Sequence, residues 1–346
     1  MHQHQGLHQG LHRRKPLCRR FVLTLIAGSV FMASSAGWAS ADTYPNKPIK
    51  LIVPFAPGGP TDALARHLAG KMSETIGGSV IVENRSGAGG TMGAAVVARA
   101  PSDGYTLLFH EITATFAIQP VITKNLPYDV KKDFTPIALT AAGPIFMVVN
   151  TTVPARNAQE VFELAKQKSS NLSFGTAGIS QFPTHIVAEL LKLKLGLNIA
   201  HVPYKGTGPA IVDVAAGRVS MIMTTGLGSV QSFVDSGKMK PMAVTGTKRA
   251  AAAPDVPTFE ESGVPLPELE AGTMWGVLGP AGMPKEIVTK LNKAVVQAME
   301  SPEVRQKVAA LSIETRTSTP EELGELIRRE TESWSGILKR MDIDLN

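Results

Sequence analysis

Three glycine-rich stretches, Ala56 to Asp62, Ser86 to Gly93 and Gly175 to Gln181, each stand between an apolar run and a helical pattern. Glycine lets a backbone approach a ligand closely, and the first N–H groups of a helix have no partner inside it. The helix start also carries about half a unit of positive charge, so such a loop suits an anion. Thr61, Thr176 and Ser180 add hydroxyl donors to the loops. Two loops facing one another would hold a carboxylate without arginine. His185 follows the third loop at a helix start, within reach of a ligand there, and Phe55 and Tyr204 are candidate apolar walls. A glycine loop also serves simply to turn the chain; recurrence in both halves favours binding.

Sharper motifs are missing. Gly58-Gly59 has no following lysine of the kind a nucleotide phosphate loop uses. Gly87, Gly89 and Gly93 have one residue too many between the last two for a dinucleotide fingerprint, and they follow the second strand rather than the first. Gly178-Ile179-Ser180-Gln181-Phe182 lacks the second glycine of a nucleophile elbow. Beyond residue 41 the histidines are His67, His110, His185 and His201, with no two at metal-ligand spacing. His110-Glu111, at a strand end, would suit an acid–base pair or merely satisfy loop hydrogen bonds. No catalytic residue, metal site or cofactor is expected.

The elements that must position these loops alternate between strand and helix, which predicts an α/β fold with crossover helices. Ile49 to Phe55 reads as a buried strand. Leu64, Leu68, Met72 and Ile76 share a helix face, and Gly77 can close that helix in left-handed geometry. Strands near Val80 and Tyr105 complete half of a doubly wound sheet. A second unit begins at the strand Ile145 to Val149 and includes a helix start at Asn157 and strands ending near Phe174, Tyr204, Met223 and Thr245. Two C-terminal helices follow, one starting at Pro284 and one at the capping box Thr319-Pro320-Glu321-Glu322. With no sheet of their own, they are expected to pack on the first unit. Crossings near Gly143 and Asp255 then give two lobes, 42–142 with 256–346, and 143–255.

Charge argues against nucleic acid. The chain is 346 residues long with a formal charge of +6. Arg13, Arg14, Lys15, Arg19 and Arg20 precede the first acidic residue; without these five of the 35 basic groups, 30 remain against 29 acidic ones. No basic stripe remains to follow phosphates. Basic residues 13–20, the apolar run from Phe21 to about Ala33 and Ala39-Ser40-Ala41 fit a cleavable export signal over 1–41. Cys18, the only cysteine, lies inside it, so disulfides are not expected afterwards.

Ordered motifs then carry a resemblance. Val53-Pro54-Phe55-Ala56-Pro57-Gly58-Gly59-Pro60-Thr61-Asp62 is the longest. Tyr44 to Ile49 precedes it, and Val82 to Gly90, Asp103 to Leu108, Leu126 to Asp129, His201 to Gly206 and Pro254 to Thr258 follow in order. Together they resemble the Bug-type substrate-binding proteins of tripartite tricarboxylate transporters. The resemblance implies a two-lobed periplasmic-binding-protein fold, type II-like, with two doubly wound sheets joined by a two-strand hinge. It implies a small organic acid, mono- or dicarboxylate, held by Phe55, Pro57, Gly58, Gly59, Thr61 and Asp62 on one side. On the other side it implies Thr176, Ala177, Gly178 and Ser180. Asp62 is expected to order its loop rather than touch the anion. Ile179, Gln181, Phe182 and Pro183, before His185, depart from the family pattern, as does His110-Glu111.

The expected function is capture of that acid in the periplasm by hinge closure of a monomer, without catalysis, and delivery to membrane transport subunits. A ligand-sensing subunit for a signalling receptor is the alternative, and an exported hydrolase a remote one.

Overall fold

The computed structural model describes residues 44–123, 125–176, 183–266 and 272–341; the export-signal pattern lies outside them. The first strand, β1 (Ile49–Val53), is almost wholly buried. Helix α1 (Pro60–Ile76) starts on extended Gly59 with proline in its first turn, and left-handed Gly77 stops it. Its Leu64, Leu68, Met72 and Ile76 face the sheet, as their spacing predicts. Next come β2 (Val80–Asn84), α2 (Thr91–Ala98) and β3 (Thr106–Glu111). A π-helical turn, Thr113–Ile118, then runs into the short α3 (Gln119–Ile122).

Strand β4 (Phe134–Gly143) ends one lobe, and β5 (Ile145–Asn150) opens the other. The second lobe continues with α4 (Ala158–Lys166), β6 (Ser173–Thr176), α5 (Pro183–Leu195), β7 (Ala200–Pro203) and α6 (Thr207–Ala215). It closes with β8 (Met221–Thr225), α7 (Gln231–Asp235) and β9 (Met239–Val244). The chain returns to the first sheet through β10 (Thr273–Pro280), followed by α8 (Lys285–Glu300), α9 (Pro302–Ala309), β11 (Glu314–Thr315) and α10 (Pro320–Met341).

Six strands form the first sheet, in the order β11-β4-β10-β3-β1-β2, and five form the second, β7-β6-β8-β5-β9. The parallel cores β2-β1-β3 and β7-β6-β8 match the expected winding. The sheets as wholes are mixed. Strand β10 runs antiparallel to β3 and β4, and β5 antiparallel to β8 and β9. A strand that passes from one sheet to the other enters from the opposite end, so its direction is reversed.

The return to the first sheet comes later than Asp255. Val244 N–H donates to the Pro257 carbonyl and Phe259 N–H to the Val244 carbonyl, and Phe259, Val264 and Leu266 lie in the same apolar cluster as Met147 and Val161 of the second lobe. The prolines there turn the chain within that lobe. The capping box is formed as expected: Thr319 N–H donates to Glu322, and Glu322 N–H to the Thr319 hydroxyl, at 2.8 and 3.2 Å. Helix α10 has 22 residues, a length of about 33 Å. Its Leu323 packs with Phe116, Phe134 and Leu139 of the first lobe. Trp334 and Leu338 belong to an apolar cluster that includes Ala117 and Ile118 of the first lobe as well as Ile145, Ile186 and Val187 of the second. The Thr331 hydroxyl donates to the Phe116 carbonyl at 3.0 Å and ties the helix to the π-helical turn of the first lobe.

Replacing Trp334 by alanine removes a large buried side chain from this cluster. The expected cost is about 3–5 kcal/mol, read as a lowered urea midpoint; a loss below about 1 kcal/mol would contradict the packing role.

Candidate functional site

The chain leaves β1 at Val53 and reaches α1 through a loop that side chains hold from behind. Both oxygens of Asp62 are engaged: Gly58 N–H donates at 3.1 Å, Arg66 at 2.9 and 3.0 Å, and Asn84 at 2.9 Å. Asn84 also donates to the Phe55 carbonyl at 3.0 Å. Burial alone would raise the Asp62 carboxyl, but the bonds from Arg66, Asn84 and Gly58 outweigh it and hold it below its ordinary value. Asp62 therefore orders the loop. Gly58 sits at φ 92°, where other residues are strained.

This loop faces the second lobe across a small cavity. Phe55, Ala56, Gly59, Pro60, Thr61 and Asp62 line one side, with Glu111 from the end of β3 and Trp275 from β10. Thr184, Thr207 and Thr225 line the other, at the starts of α5 and α6 and the end of β8. The location follows the rule for open α/β sheets: it lies beyond the carboxyl ends of β1 and β3, where the winding order reverses.

The two lobes touch backbone to backbone beside this cavity. A Cβ on Gly208 would fall 2.4 Å from the Pro57 carbonyl oxygen, and one on Gly206 would fall 3.0 Å from Ala56 N. Only glycine permits the approach. It brings the start of α6 toward the start of α1, so two sets of first-turn amides border one space. Trp275 Nε1 donates to Thr61 Oγ1 at 2.9 Å, which orients that hydroxyl from behind. Chemically, the arrangement offers peptide N–H and threonine hydroxyl donors, and no lysine or arginine among the described residues lining it.

The third glycine loop contributes differently from expectation. Ala177, Gly178 and Ser180 lie outside the described residues. Thr176 is buried, with its hydroxyl 2.6 Å from His201 Nε2. His185, expected at the ligand, is buried instead in an aromatic stack, 4.2 Å from the His201 ring and 5.9 Å from the Phe174 ring. Its Nε2 lies 3.4 Å from Glu189. Tyr204, expected as a wall, donates its hydroxyl to Asp213 at 2.6 Å, and its ring packs 3.4 Å from where a Gly175 Cβ would stand. Four residues that sequence reasoning did not place at the site, Thr184, Thr207, Thr225 and Trp275, line the cavity. Thr207 carried a usable signal, since Gly206-Thr207-Gly208-Pro209 is a helix start; Trp275 carried none.

His110 and Glu111 do not form a pair. Neighbours on a strand point to opposite faces. The His110 ring meets Phe55 edge-on at 5.0 Å and bonds the Thr115 hydroxyl, while Glu111 enters the cavity. Burial pushes the Glu111 carboxyl from 4.5 to about 8 and the His110 imidazole from 6.5 to about 3. His201 is lowered to about 4, by burial and then by its neighbour His185.

Two α/β lobes closing on a cavity at their strand ends define a periplasmic-binding-protein fold. Residues 64–343 match the family described as tripartite tricarboxylate transporter family receptor, and the chain belongs to it, as its motifs led one to expect. BugT of Bordetella pertussis is 32% identical over 318 residues, 92% of this chain and 96% of BugT. The solved structure of the periplasmic binding protein BugD is similar with a TM-score of 0.79 at 34% identity, over 86% of this chain and 98% of that one. MatC from Rhodopseudomonas palustris with bound malate has a TM-score of 0.79 at 31% identity, over 85% and 100%.

The pKa values fix a pH dependence. Between pH 4.5 and about 8 the unfolded chain has Glu111 ionised while the folded chain keeps its proton, so stability falls as pH rises. His110 and His201 act in the opposite sense, but only below their unfolded value of 6.5. From 6.5 to 8 Glu111 acts without them. The ligand-free protein is expected to lose thermal stability over that interval, and Glu111→Gln to flatten the slope. An equal slope in the variant would contradict the assignment.

Proposed function

We propose that this chain is a periplasmic receptor, exported by its N-terminal signal. It captures a small mono- or dicarboxylate by closure of its two lobes. It then passes that acid to the membrane subunits of a tripartite tricarboxylate-type transporter. It binds and does not turn over its ligand. The observation that carries this reading is the glycine-only contact of Gly206 and Gly208 with the loop from Ala56 to Gly58, which borders a cavity edged by two helix starts. Family membership and the malate held by MatC support the choice of a carboxylate.

The physics is that of an anion moved from water to fixed donors. Charge-assisted bonds from N–H and hydroxyl groups strengthen as closure excludes water. Micromolar affinity corresponds to about −8 kcal/mol, within reach of one well-satisfied carboxylate with aromatic packing from Phe55 and Trp275. The ligand's differential affinity for the closed arrangement drives the hinge.

The exported protein in excess small carboxylates should melt higher, by mass action; no shift with any mono- or dicarboxylate, and a shift with a neutral sugar, would overturn the reading. Gly208→Ala separates closure from folding. Alanine suits a helix better than glycine by up to about 1 kcal/mol, so stability should hold or rise. Its methyl group meets the Pro57 carbonyl only when the lobes close, so carboxylate affinity should fall at least tenfold. Unchanged affinity would contradict closure at this contact.

A further inference from the structure

One wall of the cavity carries a group that a simple carboxylate does not use. Glu111 ends β3 directly opposite Trp275 in antiparallel register, so the two side chains leave the sheet on one face. The Trp275 indole in turn reaches Thr61. The first-loop donors and Glu111 therefore lie along a single wall, with Trp275 linking them. Glu111 is only 7% exposed, and its Oε1 has no hydrogen-bond partner among the described residues.

Nothing among the described residues neutralises it. No basic side chain among the described residues lines the cavity, and Arg66, beside the first loop, is engaged by Asp62. Burial is the whole cause of its raised pKa, with no charged neighbour contributing. A buried carboxyl group in this setting needs a proton or a cation. A second ligand carboxylate is tolerated there only while Glu111 keeps its proton. An ammonium would bring both the positive charge and three donors.

Resting on the carboxylate reading above, we propose that Glu111 is an ammonium subsite and that the ligand is a short amino acid. Its carboxylate sits at the α1 and α6 starts and its amino group on Glu111. Specificity between an amino acid and the corresponding plain acid or diacid then resides in this one side chain.

The test is calorimetric titration of the exported protein at pH 7 with matched sets. Glycine, alanine, β-alanine and γ-aminobutyrate are compared with acetate, propionate and butyrate, and with malonate and succinate. At least one amino acid is expected to bind ten times more tightly or better than the plain acid and diacid of similar length. Glu111→Gln should reduce that preference to twofold or less while plain acids keep their affinity within about threefold. Plain acids or diacids binding best to the unaltered protein would overturn the ammonium subsite and leave the carboxylate reading intact. So would a preference for amino acids that survives Glu111→Gln. Failure of every acid, with or without an amino group, would overturn both. The ranking on the unaltered protein decides the matter even if the variant folds poorly.

Discussion

A carboxylate taken out of water must find a hydrogen-bond donor for each lone pair it loses, or it will not leave. In this cavity those donors belong to the main chain and to threonines, which constrains everything around them. Peptide N–H groups reach a ligand only when the backbone itself comes close. Hence Gly206 and Gly208 abut Ala56 and Pro57, where even a methyl group would collide. Arg66 is turned to Asp62, which holds the first loop in shape. Asn84 ties the same network to β2, so the loop is fixed by three elements.

The mixed sheets serve the same end. A parallel sheet alone would offer only strand ends to the cavity. Strand β10, running antiparallel beside β3, adds Trp275 to the wall from a distance of 214 residues in sequence and anchors Thr61. The two-residue alternation of β3 separates His110, which packs toward α2 and Phe55, from Glu111, which faces the other lobe. On the hinge side, Leu227 and Gly228 N–H groups both donate to the Leu311 carbonyl, and Thr225 donates to Thr273 at 3.0 Å. Through these bonds the lobes are joined by more than the two chain crossings.

What could be read from sequence was what is local. Helix α1, its glycine stop, the capping box of α10 and the first loop all depend on residues within a turn or two of one another, and each is formed as its pattern implies. Phe55, Gly59, Thr61 and Asp62 were visible for that reason and do line the cavity. Strands β4, β10 and β11 find their partners far along the chain, and Gly276, Gly279 and Pro280 interrupt the apolar run of β10, so no short window marks it. Pro254 and Pro257 suggested a lobe boundary because proline breaks regular structure; here it bends the chain inside one lobe. His185 neighbours the third loop in sequence, yet stacking with His201 and Phe174 takes it into the core.

The central claim is that main-chain donors from both lobes hold one anion together. Amide nitrogen chemical shifts during a carboxylate titration test it directly. The account predicts that Thr61 on the first lobe and Thr207 and Gly208 on the second move together, along one saturation curve with one dissociation constant. Perturbation confined to a single lobe, or two lobes saturating at different concentrations, would contradict it.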